Sequence, residues 1–127
     1  MNALIVDDSR ATRAILRRML ARWDFDIDEA EDGLQAIESL RSGTHYDLVL
    51  LDWNMPEMNG LEVLVTVRED DSLFQPKIVM VTTETEIEQV ERALMAGADE
   101  YVMKPFTAEI LEDKLRLLDI EVLSDGT

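Results

Sequence analysis

Leu48-Val49-Leu50-Leu51-Asp52-Trp53-Asn54-Met55-Pro56 decides how this chain is read. Four aliphatic residues in a row, without polar alternation, mark a strand covered on both faces, as in a parallel sheet between helices. The run ends abruptly on a carboxylate. The same event recurs along the chain. Ala3-Leu4-Ile5-Val6 stops at Asp7 and Asp8, Ile78-Val79-Met80-Val81 at Thr82 and Thr83, and Tyr101-Val102-Met103 at Lys104 and Pro105. A fifth stretch, Phe25 to Ala30, alternates Phe25, Ile27 and Ala30 with acids and reads as an edge strand.

Segments of helical spacing separate the runs. Ile15, Leu16, Met19 and Leu20 share one side of residues 9–22, with Trp23 following; Leu34, Ile37 and Leu40 recur in 33–42. Leu61, Leu64, Val65 and Val67 fill the next segment. Ile87, Val90 and Leu94 stripe a helix expected over 83–94, ahead of Gly97 as its C′ residue. Ile110, Leu111, Lys114, Leu115 and Leu118 close the series. Strand then helix, five times, predicts an α/β fold with a five-stranded parallel sheet and helices on both faces. The expected domain is 1–118, with an acidic tail at 119–127.

In open α/β sheets ligands bind beyond the carboxyl ends of the strands. Asp7, Asp8, Asp52, Thr82 and Lys104 all sit at such ends, so carboxylates, a hydroxyl and an ammonium should converge. Each has an ordinary structural use as well: Asp8 or Thr82 as a helix cap, Lys104 as a turn residue. Those uses do not explain one polar group at each of four strand ends. Carboxylates about 4 Å apart repel by roughly 4 kcal/mol at an effective dielectric near 20. Such a cluster takes up protons or a cation. All-oxygen ligands without histidine or cysteine favour Mg²⁺, which retains waters and binds phosphate oxygens. One carboxylate can then serve as a nucleophile, while Lys104 and the Thr82 hydroxyl neutralise the transferred oxyanion.

Composition narrows the function. The chain has 127 residues, a formal net charge of −16 and no cysteine. One domain is expected, without disulfides or thiolate chemistry, in a reducing cytoplasm. The negative surface argues against nucleic-acid binding. The N-terminus lacks a basic leader, and no window has the ~20 apolar residues of a membrane span. No glycine-rich nucleotide motif occurs. Charge is unevenly spread: Arg10, Arg13, Arg17, Arg18 and Arg22 fall between Ser9 and Arg22 without an acid among them. At 100° per residue they lie opposite the apolar stripe, so they are expected to face solvent and steer an acidic partner.

Val6-Asp7-Asp8-Ser9, Leu51-Asp52-Trp53-Asn54-Met55-Pro56, Asn59-Gly60, Val81-Thr82 and Tyr101-Val102-Met103-Lys104-Pro105-Phe106 together resemble the receiver domain of two-component response regulators. The resemblance covers residues 2 to 118 and is nearest to single-domain chemotaxis receivers of the CheY type. It implies a flavodoxin-like doubly wound fold and a phosphorylation-activated switch rather than an enzyme acting on external substrates. Asp52 would accept a phosphoryl group from a histidine kinase or histidine phosphotransfer domain docked on the first helix, near Arg10, Arg13 and Arg17. Asp7, Asp8, Asp52 and the Asn54 carbonyl would hold Mg²⁺. Lys104 would pair with a phosphoryl oxygen, and its bond to Pro105 would be cis. Thr82 and Tyr101 would be the switch residues, controlling an output partner on the fourth helix, fifth strand and fifth helix.

Two positions depart from the pattern. Thr83 stands where Ala or Gly is usual, and Glu86 and Ile87 stand where chemotaxis receivers carry lysines. Trp53 is expected as a partly exposed pocket wall, and His45 as a loop residue without a relay role. The competing readings are an aspartate-nucleophile phosphatase and a phosphate-sink receiver without a dedicated output. The phosphatase would need an acid two residues after Asp52, and that position is Asn54, which cannot donate a proton as a general acid.

Overall fold

The computed structural model describes residues 1–83, 87–120 and 122. Strands β1 (Asn2–Val6), β2 (Asp26–Ala30), β3 (Leu48–Asp52), β4 (Lys77–Thr82) and β5 (Glu100–Met103) alternate with helices α1 (Arg10–Ala21), α2 (Gly33–Arg41), α3 (Gly60–Glu69), α4 (Ile87–Met95) and α5 (Ala108–Leu117). The sheet is parallel throughout, in the order β2-β1-β3-β4-β5. β2 is an edge strand, as its weak alternation predicts. The start expected for α4, with Thr85 as a possible cap, involves residues 84–86, which lie outside the described residues.

The unbroken aliphatic runs are explained by two cores. Leu4, Val6, Val49, Leu51, Ile78 and Met80 point to one face, where α2, α3 and α4 contribute Ala36, Ile37, Val63, Leu64 and Ala93. Ala3, Ile5, Leu48, Leu50, Val79 and Val81 point to the other, against Leu16 and Leu20 of α1 and Leu111 and Leu115 of α5. Each such side chain, wholly removed from water, contributes roughly 1.5–3 kcal/mol. Beyond α5 the chain turns at Asp119 (φ 60°), and Ile120 and Val122 join the second core. Glu121 and residues 123–127 of the expected tail lie outside the described residues. Among the described residues, no helix is long and apolar enough to cross a membrane.

Local chemistry sets the helix starts. Ser9, not Asp8, caps α1 by accepting from the Thr12 amide at 3.2 Å. Asn59 and Glu62 form a reciprocal capping box on α3. Gly97, at φ 112°, ends the α4 region with its amide on the Leu94 carbonyl, the conformation that favours glycine at C′. Several stripe residues are nonetheless exposed: Ile15 of α1 at 55%, Leu34 of α2 at 57%, Val65 of α3 at 36%, Leu94 of α4 at 43% and Ile110 of α5 at 46%.

Gly60 ties the fold to the strand ends. Its amide donates to the Trp53 carbonyl at 2.9 Å, bringing the start of α3 against the end of β3. A Cβ here would overlap the main-chain carbonyl of Asp52. Backbone cannot yield as a flexible side chain can, so Gly60→Ala should destabilise by about 1–3 kcal/mol and displace Asp52. Urea unfolding measures the first effect. A midpoint equal to that of the unsubstituted protein would show that α3 backs away from β3 without loss.

Candidate functional site

The carboxyl ends of β1, β3, β4 and β5 bring Asp7, Asp52, Thr82 and Lys104 to one edge of the sheet. The register explains it: Val6 lies beside Leu51, Asp52 beside Val81, and Thr82 beside Met103. Asp7, one residue past β1, thus falls level with Asp52, the last residue of β3, while Thr82, the last of β4, and Lys104, one past β5, lie just beyond. Asp7, Asp52 and Thr82 are buried, whereas Asp8 and Asn54 are exposed. One carboxylate oxygen from each of Asp7, Asp8 and Asp52 lies within 4.8 Å of the other two. All donors are hard oxygens, which suits a small divalent cation.

Lys104 is the counter-charge within this cluster. Its Nζ lies 3.0 Å from Asp7 Oδ2 and 3.4 Å from Asp52 Oδ1, and its amide donates to the Thr82 carbonyl at 2.8 Å. The Lys104-Pro105 bond is cis. Burial of the ammonium works against its charge, but the hydrogen bond to Asp7 and the charges of Asp52 and Asp7 outweigh it and hold the pKa above its ordinary value. For Asp52 the balance goes against the charged form. Burial pushes its pKa up first and the Asp7 charge adds to this; Lys104 offsets only part, leaving it at about 6. Asp52 is thus a carboxylate short of positive charge.

Asp7 is the most firmly held of the three acids. Its Oδ1 accepts from the Ser9 amide at 2.8 Å, its own amide donates to Ala30, and its carbonyl accepts from Arg13 Nη1 at 2.6 Å. Arg13 therefore does not face solvent as the helical wheel predicts. Its side chain is 11% exposed, and its Nε pairs with Glu29 Oε1 at 3.0 Å. Arg17 reaches the other Glu29 oxygen at 2.7 Å. The Arg17 hydrogen bond, aided by Arg13, holds the Glu29 carboxyl below its usual range. The reason for the correction is β2: the wheel carries no information about an acid on a neighbouring strand. Arg10 and Arg18 are exposed as expected.

Trp53 also departs from expectation. It is buried, and with Met80, Thr82, Gln89, Val90, Ala93 and Tyr101 it lines a small, partly open cavity of about 10 Å³ between the sheet and α4. The Tyr101 ring is partly exposed, with Lys114 Nζ 4.6 Å from its centroid; Thr83 is exposed just beyond β4. His45 lies on the surface, stacked on Phe74 at 4.6 Å and apart from the acidic cluster. Sequence reading did not single out Glu29 or Gln89. Glu29 is one acid among many, and Gln89 has meaning only beside the cavity.

Comparison with known proteins agrees with this geometry. Residues 3–116 match the response regulator receiver domain family. The chain is 41% identical over 119 residues to the chemotaxis protein CheY1 of Helicobacter pylori, covering 93% of this chain and 96% of that protein. It is 41% identical over 128 residues to a CheY homologue of Campylobacter jejuni, covering 100% and 95%. Among solved structures, chemotaxis protein CheY4 of Vibrio cholerae superposes with a TM-score of 0.83 at 30% identity, covering 94% and 98%. The response regulator TrrA of Thermotoga maritima, in complex with Mg²⁺ and beryllofluoride, superposes at 0.80 with 36% identity, covering 92% and 97%. Motif order, strand-end acids, fold and relatives point the same way: the chain belongs to the response regulator receiver domain family, among receivers of the CheY chemotaxis type.

Proposed function

We propose that this receiver is a phosphorylation-driven switch that takes a phosphoryl group on Asp52 from a phosphohistidine of a histidine kinase or phosphotransfer domain. The carrying observation is the pairing of a buried Asp52, 3.4 Å from Lys104, with two further carboxylates inside a 4.8 Å cluster. Asp7, Asp8, Asp52 and the main-chain carbonyl of Asn54 would hold Mg²⁺; when bound, it supplies positive charge to the acids and to the phosphoryl oxygens. That the related TrrA takes up Mg²⁺ and beryllofluoride together supports this assignment.

In the transfer an Asp52 carboxylate oxygen forms a bond to phosphorus as the phosphorus–nitrogen bond breaks, leaving imidazole and an acyl phosphate. Hydrolysis by water returns Asp52 and inorganic phosphate. Lys104 pairs with a phosphoryl oxygen and shields Asp7 from it. Thr82, at the end of β4, hydrogen-bonds another, and Tyr101 turns inward behind it. This couples Asp52 to the surface of α4, β5 and α5, where the output partner binds. A general hydrolase is disfavoured, because Asn54 offers no acid proton to a leaving group. The reading places the protein in the cytoplasm, where histidine kinases present their phosphohistidine.

The donor would dock on α1 and the loop before α5. Thr12, Ile15 and Met19 face Pro105 and Phe106 across a groove of about 210 Å³ next to Lys104. Ile15 supplies an exposed apolar anchor. Arg10 and Arg18, exposed on the same helix, would supply steering charge, with Arg17 half-exposed beside Glu29. Arg13 would act differently from the others, by fixing the end of β1 from within.

Two outcomes are expected. Acetyl phosphate with Mg²⁺ should add one phosphoryl mass to the protein and none to Asp52→Asn, read by intact mass spectrometry. Equal labelling of both would remove Asp52 from its assigned role. Ile15→Ala combined with Arg10→Glu should slow transfer from a phosphorylated protein donor about tenfold, since an apolar anchor and its steering charge are both lost. Labelling by acetyl phosphate should stay within about twofold, because neither residue lines the acidic cluster. An equal fall with both donors, or with neither, would refute docking on α1.

A further inference from the structure

The cavity behind Thr82 contains a mismatch. Gln89 Oε1 is buried and has no hydrogen-bond partner among the described residues. Buried acceptors are rarely left unmade, because the lost hydration is not replaced. The cavity of about 10 Å³ is at the lower limit for one water, and its other walls are Trp53, Met80, Val90 and Ala93, with Thr82 and Tyr101 as its polar neighbours. Tyr101 also lines it; its hydroxyl donates to no described residue, and the Lys114 ammonium, itself 3.1 Å from Glu100, lies 4.6 Å from the centre of its partly exposed ring. Tyr101 and an orphaned acceptor thus line the same space without pairing. The space is too small for the ring while Thr82 forms its wall. Movement of Thr82 toward Asp52 would enlarge it.

We propose that Gln89 is a positioning residue for the switch: its carboxamide is unsatisfied at rest and takes up the Tyr101 hydroxyl when the ring turns inward. The inference rests on the switch assigned above to Thr82 and Tyr101, and adds what favours the inward ring. The acceptor is unmade at rest and made in the switched state, so this one hydrogen bond biases the equilibrium toward the inward ring. Lys114 opposes it by holding the ring outward. The phenol both donates and accepts, so the pair forms with either orientation of the amide.

The test uses the full chain labelled with 3-fluorotyrosine, which gives one ¹⁹F resonance each for Tyr46 and Tyr101, and separately with 5-fluorotryptophan at Trp23 and Trp53. Spectra are recorded with Mg²⁺, with and without beryllofluoride. In the unsubstituted protein, beryllofluoride should move the Tyr101 resonance to a buried population. Gln89→Met keeps the volume and removes the carboxamide; it should lower the inward-to-outward ratio about tenfold, the scale of one hydrogen bond. In a Tyr101→Phe background, Gln89→Met should leave the beryllofluoride response of Trp53 unchanged, because the hydroxyl it serves is gone. An unchanged ratio in Gln89→Met, or an equal effect of Gln89→Met with and without the hydroxyl, would overturn the inference alone. If beryllofluoride binds and the unsubstituted Tyr101 resonance does not move, the switch assignment fails and this inference with it.

Discussion

Three carboxylates share one ammonium at the carboxyl edge of the sheet, and the rest of the molecule is organised around that imbalance. Lys104 lies closer to Asp7 than to Asp52, at 3.0 Å against 3.4 Å. Asp7 has a second stabilising contact in the Ser9 amide, whereas Asp52 depends on Lys104 and is more deprived of charge. Charge repulsion of this kind is held in place only by a rigid frame. The parallel register puts the acids at one level, Arg13 and Glu29 brace the end of β1, and Gly60 holds α3 against the end of β3. An incoming cation and phosphoryl group would find their ligands already assembled, with little reorganisation left to make.

The two faces of the sheet have different tasks. On one side α1 and α5 pack on Ala3, Ile5, Leu50 and Val81, and Ile15 of α1 is exposed in a groove that Lys104 also lines. This side suits a docked donor. On the other, α4 packs through Ala93 against Met80 and lines the cavity next to Thr82 and Tyr101. This side has room for rearrangement, because its cavity is imperfectly filled and one acceptor in it is unmade. Asp52 sits between the two, at the end of a central strand. A chemical event there can be received through one face and read out through the other.

Much of this was legible in the residues themselves. Unbroken aliphatic runs such as Leu48–Leu51 forecast strands buried on both faces, and the weaker alternation around Ile27 forecast the edge position of β2. The strand-end rule brings Asp7, Asp8, Asp52, Thr82 and Lys104 together from sequence alone, because sheet register turns sequence position into height. What failed did so for tertiary reasons. A helical wheel for α1 knows its own apolar side but not that Glu29 stands on β2, so Arg13 was assigned to solvent. Trp53 was expected at the pocket edge, since a large ring after a strand gives no sign of which way the loop turns it. Gln89 carried no signal, for an amide in an amphipathic helix is unremarkable until its neighbours leave it unpaired.

The central claim is that Asp52 is starved of positive charge until a cation arrives, and its own titration tests this most directly. Its carboxyl, pushed up to about 6 chiefly by burial and then by Asp7, keeps a proton in the folded state at pH values where the unfolded chain has lost it. By linkage this group's ionisation lowers folding stability as pH rises from its ordinary 3.8 through about 6, and a bound cation removes that penalty. The ¹³C shift of the Asp52 carboxyl, followed against pH without metal and with saturating Mg²⁺, reports the effect at the atom concerned. The account predicts a midpoint near 6 without metal, and a fall of roughly one to three pH units with Mg²⁺. A metal-free midpoint at the ordinary 3.8, or one that Mg²⁺ leaves unmoved, would contradict it.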